Sequence, residues 1–454
     1  MGRARLAWLI ASFGLLAPSV ARAAAPGGDV AMPAAASSSA PSPHVAASAP
    51  SMTLDTLIND ALRRNPGVEA KRRAYEAARG RLLAAWLPED PEIGTNVEGQ
   101  SRLFGFDRKD NRYSIEQRVP FPTTLWLRGR LAMKESGVAY QAWKEEEQAV
   151  VWHIEQPYYE LLMARKTSAA LEGMRSLLDR LVRVTQAKYE SNKASQDQLL
   201  KAQIERAKVD VELFDWDQKA HVAQAHFSHI LNQPLSTAYD IMEPPRDALP
   251  SLTMSELEEL ALRTRPELHA LELRIGQAKT KRWLARSTWL PDVTGRIEAR
   301  QYSGDGNIRE YDTFLGLTVP VWSVIKGVGG GWHAAGLEVQ EAEAMYQEQK
   351  NDVLLAVHEA YAKTTSAEHA VGMYEHVMLP QARQQVEVGF SAYEAGTADF
   401  LALLDAERML KDLQVSYYTV LADYERGLSD LRRAIGGDWP AASGADPHPS
   451  RRTS

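Results

Sequence analysis

The chain has 454 residues, 44% of them hydrophobic, with 52 lysines and arginines against 59 acids and no cysteine. The missing cysteines exclude a disulfide framework, a thiolate metal site, a thiol nucleophile and a lipidated amino-terminal cysteine. The acidic balance argues against a nucleic-acid partner, because binding a phosphate backbone needs a basic face.

Residues 1–23 read as a secretion signal. Arg3 and Arg5 supply the charge, Leu6 to Leu16 the apolar run, and Ala21-Arg22-Ala23 the small-x-small cleavage site. That run is too short to span a bilayer, and no later run approaches the ~20 apolar residues of a spanning helix. Cleavage removes three arginines and no acid, leaving a formal charge of (52 − 3) − 59 = −10. An exported chain without cysteine fits a bacterial envelope. Residues 24–52 are mostly Ala, Pro and Ser and predict a disordered leader, and residues 438–454 predict a disordered tail.

A helix is expected from Thr53, a plausible N-cap, to about Leu87, with a break or kink at Pro66. Two strands follow, over 92–100 and 111–119. In the second, Tyr113, Ile115, Gln117 and Val119 alternate with Arg112, Ser114, Glu116 and Arg118, so one face is less polar and the other charged. A long helix from Leu125 to about Glu190 would measure ~90 Å at 1.5 Å per residue. Pro157 should kink or interrupt it, at ~3 kcal/mol. A turn at Ser191–Ala194 leads into a return helix with an apolar seam, Leu200, Ile204, Ala207, Val211 and Phe214, whose 3–4 spacing reads as core.

The pattern then returns about 200 residues later. Leu57, Ala61, Leu62, Arg63 and Pro66 recur as Leu257, Ala261, Leu262, Arg263 and Pro266, and Trp86-Leu87-Pro88 as Trp289-Leu290-Pro291. So long a period is a duplicated subdomain, not a solenoid unit. The repeats run over 53–240 and 241–437. The second carries a helix from Thr253 to about Leu290, strands over 292–302 and 311–319, and a long helix from Gly331 to about Glu394 with one proline, Pro380. A turn at Ala395–Ala398 leads to a return seam of Leu403, Ala406, Leu410, Leu413, Tyr417, Val420 and Tyr424. Each repeat is thus helix, strand, strand, long helix, return helix: mainly α with a small β part.

Motifs for chemistry are weak. Gly327–Gly331 lacks the Gly-Lys-Ser/Thr ending of a phosphate loop and reads as a loosened strand-to-helix transition. His226 and His229 stand i, i+3 without a third ligand, so no metal site is assigned. No cofactor motif and no nucleophile–base pair is evident, and the chain reads as a non-enzyme.

The four strands pose a physical problem. Each has a charged face and open edges, and no helix of matching period covers the other face. Strands of this length cross a bilayer when tilted, with apolar residues to lipid. Ile115, Val293, Ile297, Leu315 and Leu317 are therefore expected to face lipid. Four strands cannot close a pore, since the smallest membrane barrels need about eight. Subunits must pool them.

Residues now support a family resemblance. Ala-Leu-x-x-Asn-Pro at Ala61 to Pro66, Leu-Pro-x-x-Pro-Glu at Leu87 to Glu92, and Val-Pro before each long helix resemble the TolC-like outer membrane efflux proteins. So does Tyr393-x-x-Gly396-Thr397 followed by Leu403 to Ala406, and the resemblance spans roughly residues 52–437. It implies a homotrimer with a 12-stranded outer-membrane β-barrel continued by a 12-helix periplasmic α-barrel. It also implies a passive exit duct of a tripartite efflux or type I secretion system in a Gram-negative outer membrane. The partners would be outer membrane lipid, a periplasmic adaptor (membrane fusion) protein and an inner-membrane transporter of RND or ABC type. Adaptor contacts would fall at the helical tips: Tyr189, Ser191, Asn192 and Ala194, and Tyr393, Gly396, Thr397 and Ala398. Asp405 matches a pore-lining aspartate of the family's entrance ring, but Ala402 replaces the acid often found one turn earlier, and Ala398 an occasional arginine. A solvated helix-surface acid is the other reading of Asp405. A periplasmic coiled-coil adaptor, or a structural envelope protein without a channel, is the alternative for the whole chain; an adaptor would need a glycine- and β-rich lipoyl-like half.

Overall fold

A computed structural model describes residues 51–98, 110–301 and 307–439. The chain divides into two units, Met1–Ala47 and Ser48–Ser454, and every described residue lies in the second. The signal sequence, the leader up to residue 50, the tail beyond 439 and the outer ends of two expected strands (99–100 and 302) lie outside the described residues.

Both expected disordered boundaries need correction. Ser51–Met52 form β1, which pairs in parallel with β4 (Asp240–Ile241). The Met242 N–H donates to the Met52 carbonyl at 3.1 Å, and Met52 packs against a core cluster that includes Leu57, Ile154, Tyr158 and Phe227. At the other end Trp439 packs beside Leu431 and Leu428, and the Arg432 guanidinium lies 5.5 Å from its ring centre. One large apolar side chain at each margin is enough to dock what composition alone assigns to coil.

The first expected helix is three: α1 (Leu54–Arg64), α2 (Pro66–Gly80) and α3 (Leu82–Trp86). Thr53 caps α1 by accepting from the Thr56 N–H. Asn65 caps α2, accepting from Gly67 and Val68, and its amide donates to the Ile230 carbonyl at 3.0 Å. Pro66 thus opens a helix at a position where its missing N–H costs nothing. In the second half, α6 (Met254–Thr264) starts with a reciprocal capping box between Thr253 and Glu256, and Pro266 opens α7 (Pro266–Ser287).

The strands are β2 (Glu92–Glu98), β3 (Asp110–Val119), β5 (Asp292–Gln301) and β6 (Ile308–Thr318), in one antiparallel sheet ordered β2-β3-β5-β6. After β3 comes α4 (Pro122–Glu190), 69 residues without interruption and about 100 Å long. Pro157 does not interrupt it. It is buried beside Ile154, Tyr158 and Leu161, so packing holds the helical path that the lost hydrogen bond would otherwise weaken. The return helix α5 is Gln196–Ile230.

After β6, α8 (Val321–Lys326) meets α9 (Trp332–Met373) through a π-helical turn in which Gly330 has φ 136°. A second π-helical stretch, Tyr374–Met378, precedes α10 (Leu379–Ala395), with Pro380 in its first turn, and α11 (Phe400–Ile435) returns. Neighbouring helices pack in the lateral order α2, α4, α7, α9, which runs parallel to the strand order.

The α11 seam is core: Leu403, Ala406, Leu410 and Tyr424 are buried, with Leu413, Tyr417 and Val420 half-buried. The α5 seam is not. Leu200, Ile204, Ala207, Val211 and Phe214 are exposed, and α5 packs through Ala202, Glu205, Val209 and Trp216 instead. Apolar spacing marks a stripe that needs cover without saying which neighbour covers it.

Glu155 of α4 and Arg432 of α11 form an almost fully buried ion pair at 2.8 Å. Ser429 donates to the second Glu155 oxygen, and Arg432 also reaches Asp247 at 2.7 Å. Burial opposes the arginine's charge, but Glu155, Tyr159 and Asp247 outweigh it and raise its pKa. Arg432→Ala should destabilise the protein by about 3–5 kcal/mol, because it strands a buried carboxylate. Denaturant unfolding of the purified protein measures this; a loss under 1 kcal/mol would show that solvent reaches Glu155.

Candidate functional site: an amphipathic sheet and two helical tips

The sheet register collects the apolar side chains on one face. Ile93, Ile115, Ile297 and Thr313 form one row across all four strands, and Val119, Val293 and Leu317 form another. Leu315 pairs with Gly295, two residues from Ile297 on the same face. All five residues expected to face lipid therefore share a face. Ile93 is 84% exposed, Leu315 78% and Leu317 65%; Ile115 and Ile297 are also exposed and Val293 half-buried.

The opposite face is ionic. Arg118 meets Asp292 at 2.7 Å, Arg296 meets Glu298 at 3.1 Å and Glu116 at 3.5 Å, and Arg300 meets Glu310 at 3.8 Å. Phe314 lies on this face with the Arg296 guanidinium 5.2 Å from its ring centre, which keeps an aromatic ring among charges. One face suits hydrocarbon and the other water.

At the far end of the rods are two tight turns. Ser191 closes α4 by donating to the Ala187 carbonyl at 2.9 Å, Asn192 takes φ 57°, and Ser195 caps α5. Gly396 closes α10 at φ 80°, and the Thr397 hydroxyl donates to the Ala392 carbonyl at 3.1 Å. Tyr189, Ser191, Asn192, Gly396 and Thr397 are exposed, with Ala194 and Ala398 half-buried. Tyr393 is buried. Its hydroxyl shares a 3.1 Å hydrogen bond with Thr185, and Lys188 Nζ lies 4.0 Å from its ring centre and donates to its carbonyl. It joins one tip to the other, and its ring is closed to a partner.

Asp405 is exposed on α11, 3.4 Å from Arg408, which also binds Glu205 of α5. Two residues along, Glu407 is 1% exposed and neither carboxyl oxygen has a hydrogen-bond partner. It borders a void of about 10 Å³ lined by Met174, Leu178, Val209 and Leu404 and by the charged Glu205, Lys208, Arg408 and Lys411, room for about one water. Sequence reading passed it over, although 403, 407 and 410 share the seam's face. His226 and His229 are both exposed, and no group of metal-ligating residues occurs among the described residues. No described helix is long and apolar enough to cross a membrane.

The fold and sheet together define a mainly helical chain with an amphipathic four-stranded sheet. Residues 257–437 match the family described as outer membrane efflux protein. The chain is 21% identical over 398 residues to the cobalt-zinc-cadmium resistance protein CzcC of Cupriavidus metallidurans, covering 85% of this chain and 90% of that one. Its structure superposes on the outer-membrane channel OprN with a TM-score of 0.74 at 17% identity, over 85% of this chain and 90% of that one. For VceC of Vibrio cholerae the TM-score is 0.71 at 17% identity, over 85% and 96%. These likenesses establish the fold. The match over 257–437 likens that part of the chain to the outer membrane efflux proteins, a non-enzymatic channel family.

Burial raises the Glu407 carboxyl from 4.5 to about 7. The folded state therefore holds its proton more tightly than the unfolded chain. No penalty exists below pH 4.5; it grows as pH rises from there to 7 and is complete above. Glu407→Gln should stabilise the protein by roughly 2–3 kcal/mol at pH 8 and have little effect at pH 4. Thermal unfolding at both pH values checks this, and a pH-independent difference would reject it.

Proposed function

We propose that three copies of this chain form a passive exit duct in the outer membrane of a Gram-negative bacterium, with the helices extending into the periplasm. The observation that carries this reading is the sheet. A four-stranded sheet with a bare apolar face and two open edges cannot stand alone in lipid, where every backbone group needs a partner. Joining β6 of one copy to β2 of the next closes 12 strands from three copies, ionic face inward. The exposed α5 stripe of Leu200, Ile204, Val211 and Phe214 then finds its cover in a neighbouring copy. On this reading the chain is a duplicated unit, residues 53–240 and 241–437. A periplasmic adaptor would dock at the exposed tip residues and receive cargo from an inner-membrane transporter. A soluble adaptor has no use for the apolar sheet face. The cobalt-zinc-cadmium resistance role printed for CzcC makes divalent metal cations one cargo class to test.

Heat-modifiable gel mobility of outer membrane fractions tests the assembly. Ile297→Arg sets a cation on the lipid face, where it costs ~2–4 kcal/mol at midplane, and should lower trimer yield, while Ser114→Arg, facing Glu298, should not. Equal yields for both variants, or a soluble periplasmic monomer, would sink the channel reading.

Asp405 is proposed to line the entrance. A ring of three carboxylates on a narrow axis attracts cations and repels anions. Asp405→Ala should reduce cation preference and multivalent-cation block in planar-bilayer recordings with trimer stability nearly unchanged. Identical selectivity and block would leave Asp405 as a surface acid paired with Arg408.

A further inference from the structure

The last turns of α7 and the first of α9 enclose a cleft of about 450 Å³ that the duct does not explain. Lys279, Arg282 and Arg286 form one wall, at spacings of three and four that bring them onto one helical face. Trp332, His333 and Glu343 of α9 stand on the other side. Trp332 pins the two helices together by donating its indole N–H to the Ala285 carbonyl at 2.9 Å. Glu343 is the cleft's acid, and Lys279 neutralises it at 2.9 Å. No described carboxylate pairs with Arg282 or Arg286, and the Nε of Arg282 is buried without a hydrogen-bond partner. Two guanidiniums on one helical face, with no described carboxylate paired to either, suit an oxyanion that accepts several hydrogen bonds.

We propose that this cleft is a binding site for a phosphate-type anion, a phosphomonoester or phosphodiester, held by Arg282 and Arg286 with His333 opposite. The position suggests where such a group would come from. Arg286 lies one residue before the end of α7, and β5 begins at Asp292. Trp283 and Trp289, both exposed, flank the site, and the Arg286 guanidinium is 5.9 Å from the Trp283 ring centre. Exposed tryptophans beside basic residues, at the junction of helix and amphipathic strand, are the composition of a membrane–water interface. A phospholipid headgroup at that level and a free phosphate ester offer the same chemistry. The site stands on its own residues; only its supply from lipid rests on the outer membrane reading.

The purified, detergent-solubilised assembly would be titrated with inorganic phosphate, and separately reconstituted in nanodiscs containing phosphatidylglycerol or phosphatidylcholine. Retained lipid would be counted by native mass spectrometry. Arg282→Gln/Arg286→Gln should weaken binding at least tenfold, Arg286→Lys should fall between it and wild type, and the exposed Arg383→Gln should bind as wild type does. Retention of phosphatidylglycerol over phosphatidylcholine assigns the site to a headgroup, and saturable binding of phosphate alone assigns it to a soluble anion. Binding by neither, or equal binding by wild type and the double variant, overturns the proposal. Gel mobility of the double variant separates this result from failed assembly: a correctly assembled variant that keeps full affinity counts against the site, not against the duct.

Discussion

The structure turns on an open four-stranded sheet with one apolar and one ionic face. Its four strands satisfy one another through β2-β3-β5-β6, yet the outer edges of β2 and β6 have no partner strand among the described residues. One face is apolar and bare while the other is laced with ion pairs. In water such edges invite aggregation, and in hydrocarbon each unmet group costs several kcal/mol. The helices inherit the arrangement, because α2, α4, α7 and α9 follow the strands in the same lateral order. The exposed stripe on α5 repeats the theme in a helical layer, where Leu200, Ile204, Val211 and Phe214 are apolar and exposed.

Two buried carboxylates on the same helical bundle show how differently polar groups are accommodated. Glu155 is ionically matched by Arg432 and hydrogen-bonded by Ser429, so its burial locks α4 to α11 in one register. Glu407 is buried to the same degree, and its carboxyl oxygens have no hydrogen-bond partner among the described residues. Its neutral form is the cheaper one in place, and its cost is a function of pH. The exposed ion pairs along the rods are of another kind again, screened by water and worth little individually.

Low identity to its relatives alongside a shared fold has a physical basis. What the architecture demands is alternation in the strands, long uninterrupted helices, and reversals short enough to send each rod back. Many side chains meet those demands. Fewer meet the local ones: a residue tolerant of φ 80° at Gly396, a cap at Thr53 and Thr253, and a proline where a helix opens at 66 and 266. The caps and prolines recur in the two halves of the chain, and at the first tip Asn192, at φ 57°, stands where Gly396 stands at the second.

The sequence by itself determined what depends on nearest neighbours along the chain. The strand alternation, the caps, the glycine-loosened turn before α9 and the reversals at 191–194 and 395–398 were legible because each is set by local periodicity or by backbone freedom. Only the tertiary structure decided which stripe finds a partner. The seams of α5 and α11 have the same spacing, yet one is exposed and the other buried, because burial depends on where a second helix lies. Pro157 stays in an unbroken helix since its neighbours hold the path, and Met52 and Trp439 leave the expected coil because a core lies within their reach. The unpaired arginines of the α7–α9 cleft were invisible for the same reason: whether a charge is neutralised depends on residues about 60 positions away.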